Sequence, residues 1–441
     1  MARQLFGTDG VRGRAGHFLT ADLALALART AVARLQAERP QVLIIRDTRE
    51  SGEMLESAIA AGVTAAGGDA LLAGVLPTPA APLLVRRHSF HLAAVISASH
   101  NPYEDNGIKL FAADGFKLDD DTEHAIEAEL GTAPPPPAHI GRVRRFEGAH
   151  EDYLQALESR FSGLHLSGVR VLLDCANGAT FEVAPEIFRR LGADVDVLAD
   201  RPDGMNINQG CGSTHLAGVV ERVTAGDYHV AFAFDGDGDR VLAVDGRGAV
   251  VDGDELIALA ALHLREQGRL PGDGVVVTVM TNYGFHQAMA AAGIEVATTS
   301  VGDRYVLDEL RRRGWTLGGE QSGHIIDLGF GPSGDGTASA LLTLEALGGR
   351  DLADRGAMEK LPQRLVNIRA SDRAGLAAAM ADPGVEEAVA REHAGLTGRG
   401  RVLVRASGTE PLIRVMVEAP SRQETDEICA RLQQVVETAL A

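Results

Sequence analysis

Short apolar runs alternate with longer helix-like stretches along most of this chain, and no other feature limits its fold as strongly. Residues 42–45 and 91–96 have the pattern of buried strands, and the stretch 21–38, with Thr20 as its N-cap, has the pattern of a helix. Further strand-like runs lie at 70–75, 169–174, 229–234 and 275–279, and further helical patterns at 54–66 and 150–161. Strands that alternate with helices in this way predict α/β units built on βαβ connections.

The chain has 441 residues, which is enough for about three domains at ~150 residues each. Four consecutive prolines at 134–137 interrupt regular structure, and we place the end of the first domain beyond them, at residue 150. A second α/β unit is predicted over 151–253 and a third over 254–364. The last segment, 365–441, differs, because short strand-like runs and one long helix replace the alternation.

The composition limits the partners of the chain. A net charge of −19 argues against nucleic-acid binding, which needs a basic face, but it permits an anionic small substrate held by local arginines. Cys175, Cys211 and Cys429 lie far apart and predict neither a disulfide framework nor a zinc site. The N-terminus lacks the apolar core of a signal peptide, and no apolar run reaches the ~18 residues of a membrane span. We therefore expect a cytoplasmic protein with no nucleic-acid or membrane partner.

One hydroxyl stands at the carboxyl end of a predicted strand. The apolar run 91–96 is followed by Ser97-Ala98-Ser99-His100-Asn101-Pro102, and open α/β sheets bind ligands at this end of their strands. Beside the imidazole of His100, Ser99 is a candidate nucleophile or phosphoryl carrier. An ordinary polar turn is the alternative.

Lysine is rare in this chain. Lys109, Lys117 and Lys360 are the only lysines, and the first two follow the Ser99 segment. Because a lysine amine can lose its proton near neutrality when its pKa is lowered, whereas arginine cannot, a retained lysine suggests a chemical need. We interpret Lys109 as a candidate base and treat Lys360, which is far from every motif, as incidental.

A glycine-rich segment lies near the N-terminus. Residues 6–13 read Phe-Gly-Thr-Asp-Gly-Val-Arg-Gly, which predicts a tight loop whose backbone amides can approach a ligand. Its Arg12 is able to bind a phosphate through two hydrogen bonds. A purely structural turn is an equally good interpretation of this segment alone.

Three carboxylates follow the strand-like run 229–234. They are Asp235, Asp237 and Asp239, separated by glycines, and such a set can converge on one hard cation. An EF-hand is excluded, because Arg240 and Gly246 stand where glycine and glutamate are required. Ligands that are all oxygen favour Mg²⁺ over zinc, and a solvated acidic turn is the alternative.

Two further polar segments fit a phosphorylated sugar. Residues 318–324, Gly-Gly-Glu-Gln-Ser-Gly-His, offer carboxylate, amide, hydroxyl and imidazole groups for sugar hydroxyls. Residues 405–411, Arg-Ala-Ser-Gly-Thr-Glu-Pro, with Arg414 offer a phosphate clamp. A glycine-rich turn and a surface turn with incidental arginines are the respective alternatives.

Taken together, these segments resemble the α-D-phosphohexomutase family. The matching stretches are 6–13, 97–102 with 106–109, 235–240, 319–324 and 405–411, and they span nearly the whole chain in the order that the family has. The resemblance implies three related α/β domains with mixed sheets plus a smaller C-terminal α+β domain around a central cleft. It also implies a role for each domain. Residues 1–150 would carry the phosphoserine loop and 151–253 the metal site, and 254–364 would recognise the sugar and 365–441 bind the phosphate.

The resemblance also implies residue roles. Catalysis would rest on Ser99 as the phosphoserine, with His100, Lys109 and Arg12 beside it. One Mg²⁺ per chain would be held by Ser99, Asp235, Asp237 and Asp239. Substrate would be bound by Arg240, Glu320, Ser322, His324, Arg405, Ser407, Gly408, Thr409 and Arg414.

Two details favour an amino sugar as substrate. Gln321 and the run Ser97-Ala98-Ser99 stand where glucose- and mannose-directed relatives more often have methionine and Thr-Gly-Ser. The expected reaction interconverts glucosamine 6-phosphate and glucosamine 1-phosphate for UDP-N-acetylglucosamine synthesis, primed by a hexose 1,6-bisphosphate, in a monomer or homodimer. The alternatives are a phosphomannomutase/phosphoglucomutase of broad specificity, a phosphatase and a catalytically silent sugar-phosphate sensor.

Overall fold

The structure is a computed structural model that describes residues 5–7, 9–132, 136–407 and 411–440. The chain divides into two compact units, one formed by Met1–Val279 with Ala297–Arg355 and the other by Met280–Val296 with Gly356–Ala441. Within the described ranges, no helix combines the length and apolar character that crossing a bilayer requires.

The first segment of the chain builds a six-stranded mixed sheet. Its elements are β1 (Val11–Arg14), α1 (Ala21–Ala33), β2 (Gln41–Arg46), α2 (Gly52–Ala65), β3 (Asp69–Val75), α3 (Ala80–His88), β4 (Leu92–Ile96), β5 (Asp105–Ala112), α4 (Asp120–Glu129) and β6 (Val143–Arg145). The strand order is β1-β5-β4-β2-β3-β6, in which β4, β2, β3 and β6 are parallel and β5 runs antiparallel to both of its neighbours, β4 and β1. Helix α1 ends at Ala33, before its predicted end at residue 38.

A second mixed sheet follows. Its elements are α5 (Ala149–Arg160), β7 (Arg170–Asp174), α6 (Val183–Arg190), β8 (Asp194–Leu198), α7 (Ala217–Thr224), β9 (Val230–Phe234), β10 (Val241–Asp245) and β11 (Val250–Val251). The order is β11-β10-β9-β7-β8, with β9, β7 and β8 parallel. Strands β4 and β9 are buried along their whole length, as expected for continuous apolar runs inside a sheet covered on both faces.

The third sheet has four strands. Its elements are α8 (Gly253–Glu266), β12 (Gly274–Thr278), α9 (Tyr283–Ala291), β13 (Glu295–Thr299), α10 (Asp303–Arg313), β14 (Leu317–Gly319), β15 (Ile325–Asp327) and α11 (Gly336–Leu347). The order is β13-β12-β14-β15, with β12 and β14 parallel and β15 antiparallel. Helix α9 belongs to the second compact unit, although the chain enters and leaves it from this sheet.

The C-terminal segment is α+β. Its elements are β16 (Gln363–Arg369), α12 (Arg373–Met380), α13 (Pro383–Gly395), β17 (Arg401–Ala406), β18 (Leu412–Glu418) and α14 (Arg422–Leu440), and its antiparallel sheet has the order β16-β18-β17. Buried Glu418 accepts hydrogen bonds from the backbone amide of Tyr283 (2.8 Å) and from Arg401 Nε (2.8 Å), which joins α9 to this sheet. The predicted architecture, three α/β segments with mixed sheets and a smaller α+β segment, is confirmed.

Candidate active site

The serine loop, residues 97–102, leaves the first sheet at the carboxyl end of β4. Ser99 is 1% exposed, and its φ of 54° lies in the left-handed region that non-glycine residues rarely adopt. Its Oγ lies 2.6 Å from Asp235 Oδ2 and 3.3 Å from His100 Nδ1. The predicted serine, histidine and aspartate are therefore in contact, and the strained backbone at Ser99 must be held in place by its neighbours.

Arg49 is one of these neighbours, and the sequence analysis missed it. Its guanidinium is fully buried, pairs with Asp47 (2.8 Å), and donates to the carbonyl oxygens of Ser99 (2.9 Å), Asn101 (2.8 Å) and Asp105 (2.9 Å). Because β2 and β4 are parallel neighbours, the loop after β2 that carries Arg49 lies beside the serine loop. The run Asp47-Thr48-Arg49 at the end of a predicted strand was the available signal.

The acidic loop, residues 235–240, follows β9. Its three aspartates are buried, and one carboxylate oxygen from each lies within 4.8 Å of the others. Burial and the charges of Asp239 and Asp237 hold the pKa of Asp235 well above its usual range. The Oδ1 atoms of Asp237 and Asp239 are buried without a hydrogen-bond partner among the described residues. Unsatisfied hard oxygen donors at this spacing fit a divalent cation, as the spacing in the sequence predicts.

Lys109, on β5, lies against this loop. Its Nζ is 2.8 Å from Asp237 Oδ2, 3.0 Å from Asp9 Oδ2 and 3.7 Å from Asp239 Oδ2. Burial opposes the ammonium charge, but these carboxylates outweigh burial and raise the Lys109 pKa above its usual value. A basic role for Lys109 would require a lowered pKa, whereas here the lysine is surrounded by carboxylates that raise its pKa.

Asp9, in the glycine-rich N-terminal segment, lies near three positively charged side chains. Burial alone would raise its pKa, but Lys109, Lys117 and Arg12 hold it well below the usual range. Lys117 Nζ also lies 2.5 Å from Asp303 Oδ2 at the start of α10. The scarcity of lysine was therefore a useful signal, because both lysines that follow the serine loop reach one carboxylate of this site.

The Gly-Glu-Gln-Ser-Gly-His segment borders the acidic loop. Glu320 Oε1 accepts a hydrogen bond from the Gly302 amide (2.9 Å), and buried His324 places Nε2 3.8 Å from Asp239 Oδ2. Gln321 Nε2 instead donates to Asp252 Oδ2 (3.1 Å), the N-cap of α8. The neighbouring Ser322 is exposed.

Arg240 and His100 complete the surroundings of the carboxylates. Arg240 Nε lies 3.8 Å from Asp239 Oδ1, and the Arg240 pKa is raised because Asp239, Asp235 and Glu320 outweigh burial. The pKa of His100 is lowered by burial and by the positive charges of Arg240 and Arg12. His100 is therefore a neutral imidazole near pH 7.

The predicted phosphate clamp lies in the second unit. Arg405 on β17 and Arg414 on β18 are direct cross-strand partners, and burial together with Arg414 lowers the Arg405 pKa. The amide of Ser407 donates to Leu412 O (2.8 Å) where the chain turns between the strands. Gly408 and Thr409 lie outside the described residues. Like charges that face each other across a strand pair favour an anion between or above them.

Comparison with known proteins agrees with this set of groups. Models of the phosphoglucomutase/phosphomannomutase family match four consecutive segments: α/β/α domains I, II and III over residues 3–134, 151–248 and 252–364, and the C-terminal domain over 365–435. The chain belongs to this family. It is accordingly a mutase, an isomerase that acts on a sugar phosphate, and phosphohexomutases generally use a metal ion such as the buried aspartates can bind.

Individual members of the family show which of its proteins this chain is similar to. A phosphoglucosamine mutase from Moorella thermoacetica is 51% identical over 98% of this chain and 99% of its own length. A second phosphoglucosamine mutase, from Desulforudis audaxviator, is 49% identical over 98% and 97%. The crystal structure of a phosphoglucomutase/phosphomannomutase family protein from Burkholderia thailandensis shares the fold, with a TM-score of 0.83 at 24% identity over 98% and 97% of the two chains.

Proposed function

We propose that the chain is a phosphoglucosamine mutase that interconverts glucosamine 6-phosphate and glucosamine 1-phosphate, with Ser99 as its phosphoryl carrier. The observation that carries the proposal is the Ser99 hydroxyl 2.6 Å from Asp235, inside a buried set of three carboxylates. Binding alone would need no such nucleophile, which argues against a silent sensor. The choice of an amino sugar is supported by relatives of that name at up to 51% identity over nearly the whole chain.

The reaction is a double phosphoryl transfer. Phospho-Ser99 gives its phosphoryl group to O1 of glucosamine 6-phosphate, so that the bond from phosphorus to Oγ breaks while the bond to O1 forms and the O1 proton leaves. The resulting glucosamine 1,6-bisphosphate turns over, its 6-phosphoryl group passes to Ser99, and glucosamine 1-phosphate departs. A hexose 1,6-bisphosphate phosphorylates Ser99 when the serine is bare.

Asp235, Asp237 and Asp239, with an oxygen on Ser99, would hold one Mg²⁺ per chain. The fit is supported by the all-oxygen donor set and by the Oδ1 atoms of Asp237 and Asp239, which accept no hydrogen bond from any residue that the structure describes. When bound, the cation neutralises charge on the phosphoryl oxygens during transfer.

Proton transfer falls to His100 in this proposal. Its Nδ1 is 3.3 Å from Ser99 Oγ, and its lowered pKa keeps it able to accept the proton of the sugar hydroxyl. Lys109, which remains charged, stabilises the transferring group and orients Asp237, and Arg12 adds positive charge near the serine loop.

The remaining predicted residues would bind the substrate. Glu320, Ser322, His324 and Arg240 would read the sugar, and Arg405, Ser407, Gly408, Thr409 and Arg414 would hold the phosphate that does not react. The domain boundaries at 150, 253 and 364 are part of this proposal. A cytoplasmic location is also part of the proposal, and it is supported by three free cysteines that a reducing compartment would preserve. The proposed role in the cell is to supply UDP-N-acetylglucosamine synthesis.

The test compares glucosamine, glucose and mannose 6-phosphates with Mg²⁺ and a trace of hexose bisphosphate. We expect the highest kcat/KM on the amino sugar, almost no inorganic phosphate, and no turnover by Ser99→Ala. Preference for glucose or mannose would favour the broad-specificity mutase that the family description names. Continuous release of inorganic phosphate would replace the mutase with a phosphatase.

A further inference from the structure

Asn208, which the sequence analysis does not single out, connects the serine loop to the second sheet. It is 7% exposed and lies in the connection between β8 and α7. Its side-chain Nδ2 donates to the carbonyl oxygens of Ser99 (2.9 Å) and Asn101 (3.1 Å). Its φ of 58° is left-handed, a conformation that asparagine tolerates better than most residues.

The same amide lies against the acidic loop. A Cβ built on Gly236 would come within 2.7 Å of Asn208 Nδ2 and 2.6 Å of the Ser99 carbonyl oxygen. Neither distance is possible for a real Cβ, so position 236 has room for glycine alone. The backbone of the acidic loop, the Asn208 amide and the Ser99 carbonyl therefore meet at one point.

Two donors share the serine-loop carbonyls, and they come from different sheets. Arg49, after β2 of the first sheet, donates to Ser99 O and Asn101 O, and Asn208 donates to the same two oxygens from the second sheet. A carbonyl oxygen has two lone pairs, so both donors are accommodated. Arg49 fastens the loop to its own sheet, whereas Asn208 fastens it to the sheet that carries the acidic loop.

We propose that Asn208 is a positioning residue for phosphoryl transfer, whose amide fixes the distance between the Ser99 hydroxyl and the acidic loop. The proposal rests on the proposed function for the identity of the transferred group. Asn208 acts through the Ser99 backbone and does not touch the reacting atoms. Without its amide, Arg49 keeps the serine loop folded, but the loop is free to shift relative to Asp235. Turnover should then fall while substrate binding and folding persist.

Asn177 supplies a matched control. It has the same residue type and a left-handed φ of 47°, and its side chain binds the 201–206 segment instead of the serine loop. Asn208→Gly and Asn177→Gly both keep a backbone suited to positive φ and remove one amide side chain each. We expect kcat to fall on the order of 10- to 100-fold in Asn208→Gly with KM unchanged, and to stay near the wild-type value in Asn177→Gly.

Asn208→Asp separates hydrogen bonding from space filling. Aspartate has the size of asparagine, but it turns an acceptor oxygen towards the two carbonyl oxygens. If donation is what matters, Asn208→Asp has a kcat no higher than that of Asn208→Gly. Full recovery of kcat in Asn208→Asp would overturn the proposal, and so would an unchanged kcat in Asn208→Gly.

Hydrogen exchange provides a readout that does not depend on activity. The backbone amides of Ser99 and Asn101 are bonded to Ser97 Oγ and Ala98 O within the loop. We expect peptides that contain them to exchange faster in Asn208→Gly than in Asn177→Gly, and equal exchange in the two variants would contradict the proposal. If the wild-type protein turns over no hexose phosphate, the proposed function fails, while this comparison still decides the role of Asn208.

Discussion

The first and second units arrange their charged side chains in opposite ways. In the first unit, Lys109 and the aspartates around it neutralise one another at 2.8–3.7 Å. In the second, Arg405 and Arg414 face each other across β17 and β18, and no carboxylate of the described ranges forms an ion pair with either. Within the part of the chain that the structure describes, Arg405 Nη2 has a long contact, 3.7 Å, with the sulfur of Met280. Under the proposed function, the first arrangement would be assembled in advance for a cation and a phosphoryl group, whereas the second would gain its counter-charge from an anionic ligand.

The largest effect should come from the nucleophile. Ser99→Ala removes the only atom that can carry the phosphoryl group in this account, so kcat should fall by at least about 10³-fold. Ser89→Ala is the matched control, because Ser89 also has a left-handed φ (55°) but caps α3 away from the acidic loop. Turnover by Ser99→Ala at a rate near that of Ser89→Ala would remove Ser99 from the mechanism.

The charge balance of the first unit can be broken at Asp237. Asp237→Asn removes one cation ligand and the shortest ion pair of Lys109, so we expect weaker Mg²⁺ binding by calorimetry and a kcat lower by about 10²- to 10³-fold. Asp196→Asn, an exposed carboxylate of the same sheet paired with Arg170, is the control and should bind Mg²⁺ as the wild type does. Equal Mg²⁺ affinity in the two variants would contradict the assignment.

Substitutions in the second unit should weaken substrate binding more than they slow the chemical step. Arg414→Gln removes a charged donor to the substrate phosphate, so KM should rise by about 10- to 100-fold, equivalent to ~1.4–2.7 kcal/mol, with a smaller change in kcat. The apo protein should be no less stable than the wild type, because a like-charge contact with Arg405 is lost. The control is Arg364→Gln. Arg364 lies on β16 of the same sheet and forms a surface ion pair with Asp426 of α14, so its replacement should leave KM unchanged. A fall in kcat at constant KM would contradict the division of labour between the units.

The smallest effect should be at Gln321. Because its amide is bonded to Asp252 rather than turned towards the acidic loop, Gln321→Met should cost about 0.5–1.5 kcal/mol of unfolding free energy and leave the preference for glucosamine over glucose 6-phosphate within about threefold. Thermal denaturation and the ratio of kcat/KM values measure the two effects. A switch of preference to glucose would restore Gln321 as a specificity residue.

Sequence reasoning found groups that the structure brings together where those groups are contiguous in the chain. The acidic loop and the serine loop each place several functional groups within six residues, so their spacing alone predicts their use. Arg49 and Asn208 were missed because they act on Ser99 from 50 and 109 residues away, through contacts that only the packed sheets create. The direction of the Lys109 pKa shift could not be predicted from the sequence, because it depends on three carboxylates from two distant segments.

The fold shows the same contrast. Alternating apolar and helical patterns predict the α/β sheets of the first three segments, and strands buried on both faces, such as β4 and β9, are continuous apolar runs. The inclusion of α9 in the second unit was not predictable from the sequence. It depends on buried Glu418, which accepts a hydrogen bond from the backbone amide of Tyr283, 135 residues away in the chain.

The most direct test of the central claim follows a labelled phosphate through one turnover. Enzyme phosphorylated on Ser99 with unlabelled phosphate would be mixed with an equimolar amount of glucosamine 6-phosphate that carries radiolabelled phosphate. The account predicts that the first glucosamine 1-phosphate released is unlabelled and that the label is recovered on the peptide containing Ser99. Labelled glucosamine 1-phosphate with no label on Ser99, or labelled inorganic phosphate, would contradict it.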